Sequence, residues 1–297
     1  MNPELVTTKP SSRKYVLTEK GLDLLSKELA DGKSYFYLSK EFDINPDTLS
    51  ALAKENNIHK DNRRKYVLNE NYFENIDTKE KAYWLGFLAA DGYVDAEKGV
   101  IFLGLQPKDK DHIRKFLNAV GSNKKIKEKH SFFNNKDHLG CYAEINSKKM
   151  AKDLFFLGLY AGKSLTYTPP TPEQVPRSFI KYWILGYFDG DGGLTLFRDP
   201  KGKSIRYNMS FVGTRKTIEF IQEYLGSNKK IKLAHNCKNT YEIKFTKTDT
   251  TAILNYLYSD FDTSKCLERK YKKYLEILKI NASKPKRKKK QQCLIPY

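Results

Sequence analysis

A chain of 297 residues can bury a substantial core and divide into two or three domains. Its 54 Lys and Arg against 35 Asp and Glu leave a net charge of +19, which points to a polyanionic partner, nucleic acid ahead of a membrane surface. With 13% aromatic residues it reads as a folded protein with basic surfaces, not a disordered polycation. No apolar run approaches the roughly 18 residues of a membrane span, and no apolar secretory core opens the chain. Cys141, Cys237, Cys266 and Cys293 are scattered, with no C-x-x-C pair. They read as reduced thiols of an intracellular protein, of the cytoplasm or nucleoid in a phage or bacterial setting, or of an organelle.

Residues 1–17 read as a polar leader. From Thr18, a plausible N-cap, Leu22, Leu25 and Leu29 fall on one helical face. A break at "DGKS" leads to "YFYLSKEF", then "DIN", then a helix opened by Asn45 as cap and Pro46 at its first position. Helix, three-residue turn, helix is the spacing of a helix-turn-helix. Residues 1–58 are therefore expected to form a small helical DNA-binding region, with Thr48, Ser50 and Lys54 toward the groove; a plain helical cap on the larger domain is the alternative. Residues 59–76 read as a basic linker, whose "DNRRK" could follow phosphates or simply be solvated.

The rest of the chain is duplicated. "GSNKKIK" occurs at 121–127 and again at 226–232, and "YWLGFLAADG" (83–92) matches "YWILGYFDGDG" (182–192). "AEINSKK" matches "YEIKFTK" in the same order. Two units of roughly a hundred residues imply pseudo-two-fold symmetry; a solenoid needs three or more shorter repeats. They span 77–172 and 173–281, followed by a basic tail at 282–297. Each unit reads αββαββα: an apolar helix ending at Asp-Gly, a hairpin, a helix, two basic strands around "NKKIK" and the "AEINS" or "YEIKF" run, and a final helix. In the second hairpin Ile205, Tyr207, Met209 and Phe211 alternate with Arg206, Asn208 and Ser210, so one sheet face is packed and the other is open. Phe102 and Gln106 in the first copy, and Lys230, Lys232, Lys244 and Thr246 in the second, fall on such an open face.

The two apolar helices carry the chemistry. Gly86 and Ala90 stand four apart, as do Gly186 and Gly190, giving each helix a small-residue face that lets backbones approach. Packing through these faces brings the C-termini together, so that Asp91 meets Asp191, each at the negative end of a helix dipole. Two close carboxylates repel unless one protonates or a cation intervenes. A divalent ion removes the conflict, with the carbonyls of Ala90 and Gly190 as further oxygen ligands.

At these residues the chain resembles the LAGLIDADG homing endonucleases of the two-motif, monomeric type. The motif copies are "WLGFLAADG" (84–92) and "ILGYFDGDG" (184–192), and the resemblance covers roughly residues 77–281. It implies an α+β fold: a pseudo-two-fold duplicated αββαββα homing-endonuclease fold, here behind a small N-terminal helical domain. In that family the second acidic residue of each motif binds the divalent metals, which carries over to Asp91 and Asp191. The first acidic position is Asp189 in one copy but Ala89 in the other. A basic residue late in each repeat, close to the scissile phosphate, carries over to Lys163 and Lys265. Asp109 and Gly213 occupy a region where the family places a water-organising polar group. The implied cofactor is Mg²⁺, or Mn²⁺. The implied reaction is metal-dependent phosphodiester hydrolysis that leaves a staggered double-strand break. The expected partner is double-stranded DNA, bound by a monomer with no membrane, and read by Gln106, Arg198, Arg206 and Asn208. Lys230, Lys232, Lys244 and Thr246 lie on the same surface. The alternatives on this fold are an intron RNA maturase and a non-cleaving DNA-binding regulator.

Other motifs carry less. Glu242-Ile-Lys244 resembles a restriction-nuclease E-x-K, but its first copy reads "AEINS". "GLYAGKS" is one residue short of a phosphate loop. The five histidines show no zinc spacing and read mostly as surface residues. "KPKRKKK" (284–290) reads as a nuclear-import signal or a nonspecific phosphate clamp.

Overall fold

The computed structural model describes residues 1–9, 14–58, 66–133, 136–199, 204–235 and 237–283. The "DNRRK" run, most of the "DPKGK" turn, His59, Cys293 and the basic tail's "KPKRKKK" lie outside the described residues. The chain divides into two compact units, residues 1–65 and 66–297. No described helix is long and apolar enough to cross a membrane.

The first unit opens with strands β1 (Val6–Thr8) and β2 (Tyr15–Leu17), paired antiparallel with Val6 opposite Leu17. The described residues of the expected polar leader are therefore part of the folded unit. Leu5, Val6 and Leu17 are buried against Leu25, Leu29, Leu38 and Phe42. Strands of three residues are too short to show a period of two, which hid them in the sequence. Helices α1 (Glu19–Ala30), α2 (Tyr35–Phe42) and α3 (Pro46–Glu55) follow. Thr18, Ser34 and Asn45 cap them by accepting from Gly21, Tyr37 and Asp47 backbone N–H groups. Asp43, at φ 49°, makes the left-handed turn that ends α2. On α3, Thr48 and Ser50 are half-buried and Lys54 is exposed.

The second unit begins at Tyr66, not at residue 77. Tyr72, Phe73 and Ile76 are buried in its core, the Asn69 N–H donates to Val120 O at 2.9 Å, and the Tyr66 hydroxyl accepts from the Asn146 N–H at 2.7 Å. Only residues 59–65 of the expected linker fall outside it. The first repeat is α4 (Lys79–Asp91), β3 (Gly92–Asp95), β4 (Val100–Leu105), α5 (Lys110–Ala119), β5 (Lys127–Phe133), β6 (Lys136–Asn146) and α6 (Lys148–Phe156). The second is α7 (Arg177–Asp191), β7 (Gly193–Arg198), β8 (Ile205–Gly213), α8 (Arg215–Tyr224), β9 (Lys232–Leu233), β10 (Tyr241–Thr246) and α9 (Lys247–Tyr258). Both sheets are antiparallel with matching order, β3-β4-β6-β5 and β7-β8-β10-β9. The duplicated αββαββα order is thus the observed fold, with two departures. Most of each "NKKIK" run precedes its strand, so Lys230 lies outside the sheet while Lys232 opens β9. A further helix, α10 (Glu268–Ala282), has no counterpart in the first repeat.

The unit is built around α4 and α7. Eight consecutive residues of α4 (82–89) and ten of α7 (180–189) are buried, so these are core rods with no solvent stripe. They meet backbone to backbone. A Cβ on Gly86 would lie 2.0 Å from Trp183 O, and one on Gly186 would lie 1.9 Å from Tyr83 O. At their N-terminal ends Asp260 collects donors from both rods: Lys79 on α4, and Lys181 and Tyr182 on α7. Partial burial works against its charge, but these three donors hold the Asp260 carboxyl well below the usual carboxylate range.

Substituting Gly186 by Ala is expected to destabilise the protein by about 1–3 kcal/mol. The clash is with rigid backbone and outweighs the roughly 1 kcal/mol that Ala gains over Gly inside a helix. Gly140→Ala, whose Cβ would meet nothing nearer than 3.8 Å, serves as the control and should shift stability by less than about 0.5 kcal/mol. Urea unfolding midpoints measure both, and an undiminished Gly186→Ala midpoint would contradict the packing.

Candidate active site

The glycine contact sets where the rods end. At their C-terminal tips a Cβ on Gly190 would lie 2.4 Å from the Ala90 Cβ and 3.3 Å from Asp91 Oδ2. The tips therefore abut, and Asp91 and Asp191 close the two helices side by side. Both reach solvent, yet protein crowds them from behind. Burial raises the Asp91 carboxyl, opposed by Lys270, Lys163 and Arg269. Burial, and then the charge of Asp91, push Asp191 up to about 6. The second cause is the mutual repulsion expected of two carboxylates sharing one place.

Two buried lysines close on the same tips. Lys163 donates to Gly92 O at 2.7 Å, just past the end of α4. Lys270 donates to the last carbonyls of α7: Phe188 O, Asp189 O at 2.9 Å and Gly190 O at 3.2 Å. Each ammonium caps a negative helix end. Burial lowers both lysines, Lys270 to about 8; Asp191 and Asp91 act to keep Lys163 charged, and Asp189, with Asp91 and Asp191 after it, acts to keep Lys270 charged. Next to Lys270 on α10, Arg269 grips Asp109 through Nε at 2.9 Å, and Gln106 Nε2 donates to the same carboxylate at 2.8 Å. On the other side a cavity of about 220 Å³ is lined by Asp191, Lys163, Tyr187, Gly213 and Thr214. Tyr187 there donates to Val212 O at 3.0 Å.

Lys265 does not reach the tips. It pairs with Glu80, at the opposite end of α4. Eleven residues at 1.5 Å each put that about 16 Å from Asp91. Counting residues from each aspartate pointed to Lys265 because the repeat pattern stops before α10. Lys270 and Arg269 lie on that unduplicated helix, so no internal copy marks them. The signal that could have found them is an amphipathic run, "ERKYKKYLEILKI", with lysine on its buried face: Lys270 and Ile277 are its buried residues.

Asp189, the first acidic position of its motif, is spoken for. It is wholly buried and accepts from the Tyr83 hydroxyl at 2.7 Å and the Leu267 N–H at 2.8 Å. It clamps the start of α10 to both rods, and Ala89 at the matching place is simply packed in the core. His112 is also buried, with Nε2 3.1 Å from the Tyr83 hydroxyl, whereas His130, His138 and His235 are exposed as expected. Cys141, Cys237 and Cys266 are free thiols.

The donor set suits a hard cation. Among the described residues no group of three or more His, Cys, Asp or Glu forms a metal cluster. An ion at the tips would rest on the Asp91 and Asp191 carboxylates and nearby backbone oxygens, which is Mg²⁺ or Mn²⁺ chemistry, not zinc chemistry. Of the two expected carbonyls, Gly190 O already accepts from Lys270, and Ala90 lies half-buried beside it.

The second sheet's open face carries Arg206, Asn208, Lys244 and Thr246, with Lys244 opposite Ser210 and Thr246 opposite Asn208. Lys232 pairs with Glu242 on that face, and Lys230 is exposed just before it. Arg198 departs from the expectation. It sits opposite Ile205, on the parity of the inward Leu194 and Leu196, and the open-face position is Phe197, opposite Arg206. Gln106 lies beyond the end of β4 and is bonded to Asp109.

No protein-family model matches the chain, and no curated protein matches it. Solved structures similar to it include LAGLIDADG homing endonucleases and meganucleases. The meganuclease I-SmaMI bound to uncleaveable DNA is 14% identical, with TM-score 0.45, covering 68% of this chain and 90% of that one. The I-LtrWI LAGLIDADG homing endonuclease bound to target DNA is 12% identical, with TM-score 0.45, covering 72% and 92%. The LAGLIDADG homing endonuclease I-GzeII in complex with a DNA target is 12% identical, with TM-score 0.42, covering 69% and 98%.

The raised Asp191 carboxyl has a signed consequence. A carboxyl raised on folding favours the folded state below its unfolded pKa, and that advantage is lost as pH climbs through about 6. Asp191→Asn removes this term. Without divalent ions its melting temperature relative to the parent should rise between about pH 4 and pH 6 and then level off. Mg²⁺ should stabilise the parent at pH 7.5 and not the variant. A flat difference across this range in scanning calorimetry would contradict the crowded pair.

Proposed function

We propose that this chain is a LAGLIDADG-type homing endonuclease, intron-encoded or free-standing. It makes a staggered double-strand break in a long DNA target. The observation that carries the reading is the convergence of Asp91 and Asp191 on two rods joined through Gly86 and Gly186, with Lys163 and Lys270 closing round them.

Asp91 and Asp191 would hold a Mg²⁺ or Mn²⁺ ion, whose chemistry when bound would be to acidify a water and offset charge on a leaving oxygen. The protein's own groups do the rest. Lys163 and Lys270 present fixed ammonium groups beside the carboxylates, where charge builds on a phosphate under attack. Arg269 and Gln106 hold the Asp109 carboxylate, whose charge is felt at Asp91. The open faces of the two sheets lie in the major groove, where Arg206 and Asn208 meet base edges and Lys230, Lys232 and Lys244 meet phosphates. One chain carries both halves, so a monomer suffices. The N-terminal unit extends the contacted sequence through Thr48, Ser50 and Lys54.

A plasmid library of randomised sites tests this directly. The parent should linearise a subset of sites with Mg²⁺. Asp191→Asn should bind the recovered site and fail to cut it. Lys270→Met should slow cutting by about 10²–10³-fold with binding retained, the size of effect seen when one charge-stabilising donor is lost. Retention of duplex with no Mg²⁺-dependent cut at any site would instead favour a non-cleaving regulator or an intron RNA maturase.

A further inference from the structure

The strand registers align the two sheets residue by residue. Phe102 faces Glu144, and Ser210 faces Lys244; Gly104 faces Tyr142, and Val212 faces Glu242. Position by position, Phe102 therefore corresponds to Ser210, Tyr142 to Glu242, and Glu144 to Lys244. Tyr93 and Gly193 each pair with the strand residue so aligned, Tyr93 with Phe102 and Gly193 with Ser210. Three open-face positions that hold Gly, Ser and Glu in the second repeat hold Tyr, Phe and Tyr in the first.

These aromatics form one patch. The Phe102 and Tyr142 rings stack with centroids 5.1 Å apart and planes 27° apart. The Phe102 ring also lies over Gly104, where an added Cβ would come within 2.8 Å of it. Tyr93 is 41% exposed, though it is a large side chain on a strand. The patch is next to the catalytic tip: Gly92 follows Asp91 directly and pairs with Leu103, one residue from the Tyr93–Phe102 pair. The ring faces of this plate offer no directional hydrogen bonds to base edges, and of its two hydroxyls that of Tyr93 is turned to Asp95 at 3.4 Å. What it can recognise in a major groove is apolar, and the apolar feature there is the thymine C5-methyl group.

We propose that the first repeat reads the base pairs nearest the cut by apolar contact of Tyr93, Phe102 and Tyr142 with thymine methyl groups, while the second repeat reads its matching base pairs by hydrogen bonds. This rests on the reading that both open faces lie on DNA. The two half-sites of one target are then recognised by different physics. The inner base pairs on the first repeat's side are rich in thymine, and discrimination there depends on methyl groups more than on donor patterns.

The test uses the site returned by the cleavage library and the full-length parent protein, with binding measured in EDTA. Thymines at the inner positions are replaced by uracil, one half-site at a time, which removes only the methyl. Each lost methyl should weaken binding about fourfold in one half-site and leave the other unchanged. Cytosine at those positions, when replaced by 5-methylcytosine, should recover part of the loss. The triple exchange Tyr93→Gly, Phe102→Ser and Tyr142→Glu, checked for folding by circular dichroism, should abolish the uracil penalty and identify the half. A recovered site with no inner thymines, or with no uracil penalty in the parent, overturns this inference and leaves the endonuclease reading standing. A penalty that persists in a folded exchange variant also overturns it. Failure to recover any site overturns both.

Discussion

Everything at the active end depends on one close approach, that of α4 and α7 through Gly86 and Gly186. Each glycine faces a carbonyl of the other rod across a gap that no side chain could enter. Helices with ordinary side chains at a contact pack about 8–10 Å apart. A wider separation here would part the tips and leave two isolated Asp-Gly turns. The buried bulk around the rods, including Trp84, Trp183, Phe87 and Phe188, supplies the apolar force that holds the contact shut.

The contact creates an electrostatic problem as well as a site. Two helix C-termini and two aspartates meet at one point, and all are negative. The protein answers with cations taken from outside the rods. Lys163 comes from the turn after α6, and Lys270 comes from α10. Both are buried, so their own desolvation lowers them, and the carboxylates keep them charged. Asp189 has a different part: wholly buried, it accepts from Tyr83 on α4 and from the Leu267 N–H at the start of α10. It thereby fixes the helix that delivers Lys270 and Arg269. The two acidic positions of one motif divide into one that stands at the paired tips, reaching solvent, and one that holds the frame.

Duplication made the halves alike in topology and left them free to diverge in surface. Strand order, register and rod packing repeat faithfully, because a slipped register would turn every core residue outward. The open faces carry no such constraint. One carries aromatics at Tyr93, Phe102 and Tyr142, and the other, beyond Phe197, is polar and basic at Arg206, Asn208 and Lys244. The cations around the tips diverged too, with one arriving on a helix that the first repeat lacks.

The sequence by itself determined the duplicated αββαββα order, the two apolar rods, the meeting of Asp91 with Asp191, and the helices capped by Thr18 and Asn45. Each of these is written in local signals: a repeated string, a burial period, a small-residue spacing, a cap. Tertiary structure alone decided which lysine serves the second tip, that Tyr72, Phe73 and Ile76 belong to the core and not to a linker, that Leu5 and Val6 close the first unit, and that Arg198 sits off the reading face. These depend on contacts between residues far apart in the chain. Lys265 and Lys270 differ by five positions, yet one pairs at the start of α4 and the other caps the end of α7. That choice is made by the direction in which α10 packs, a long-range balance of burial and hydrogen bonding that no stretch of the chain carries locally.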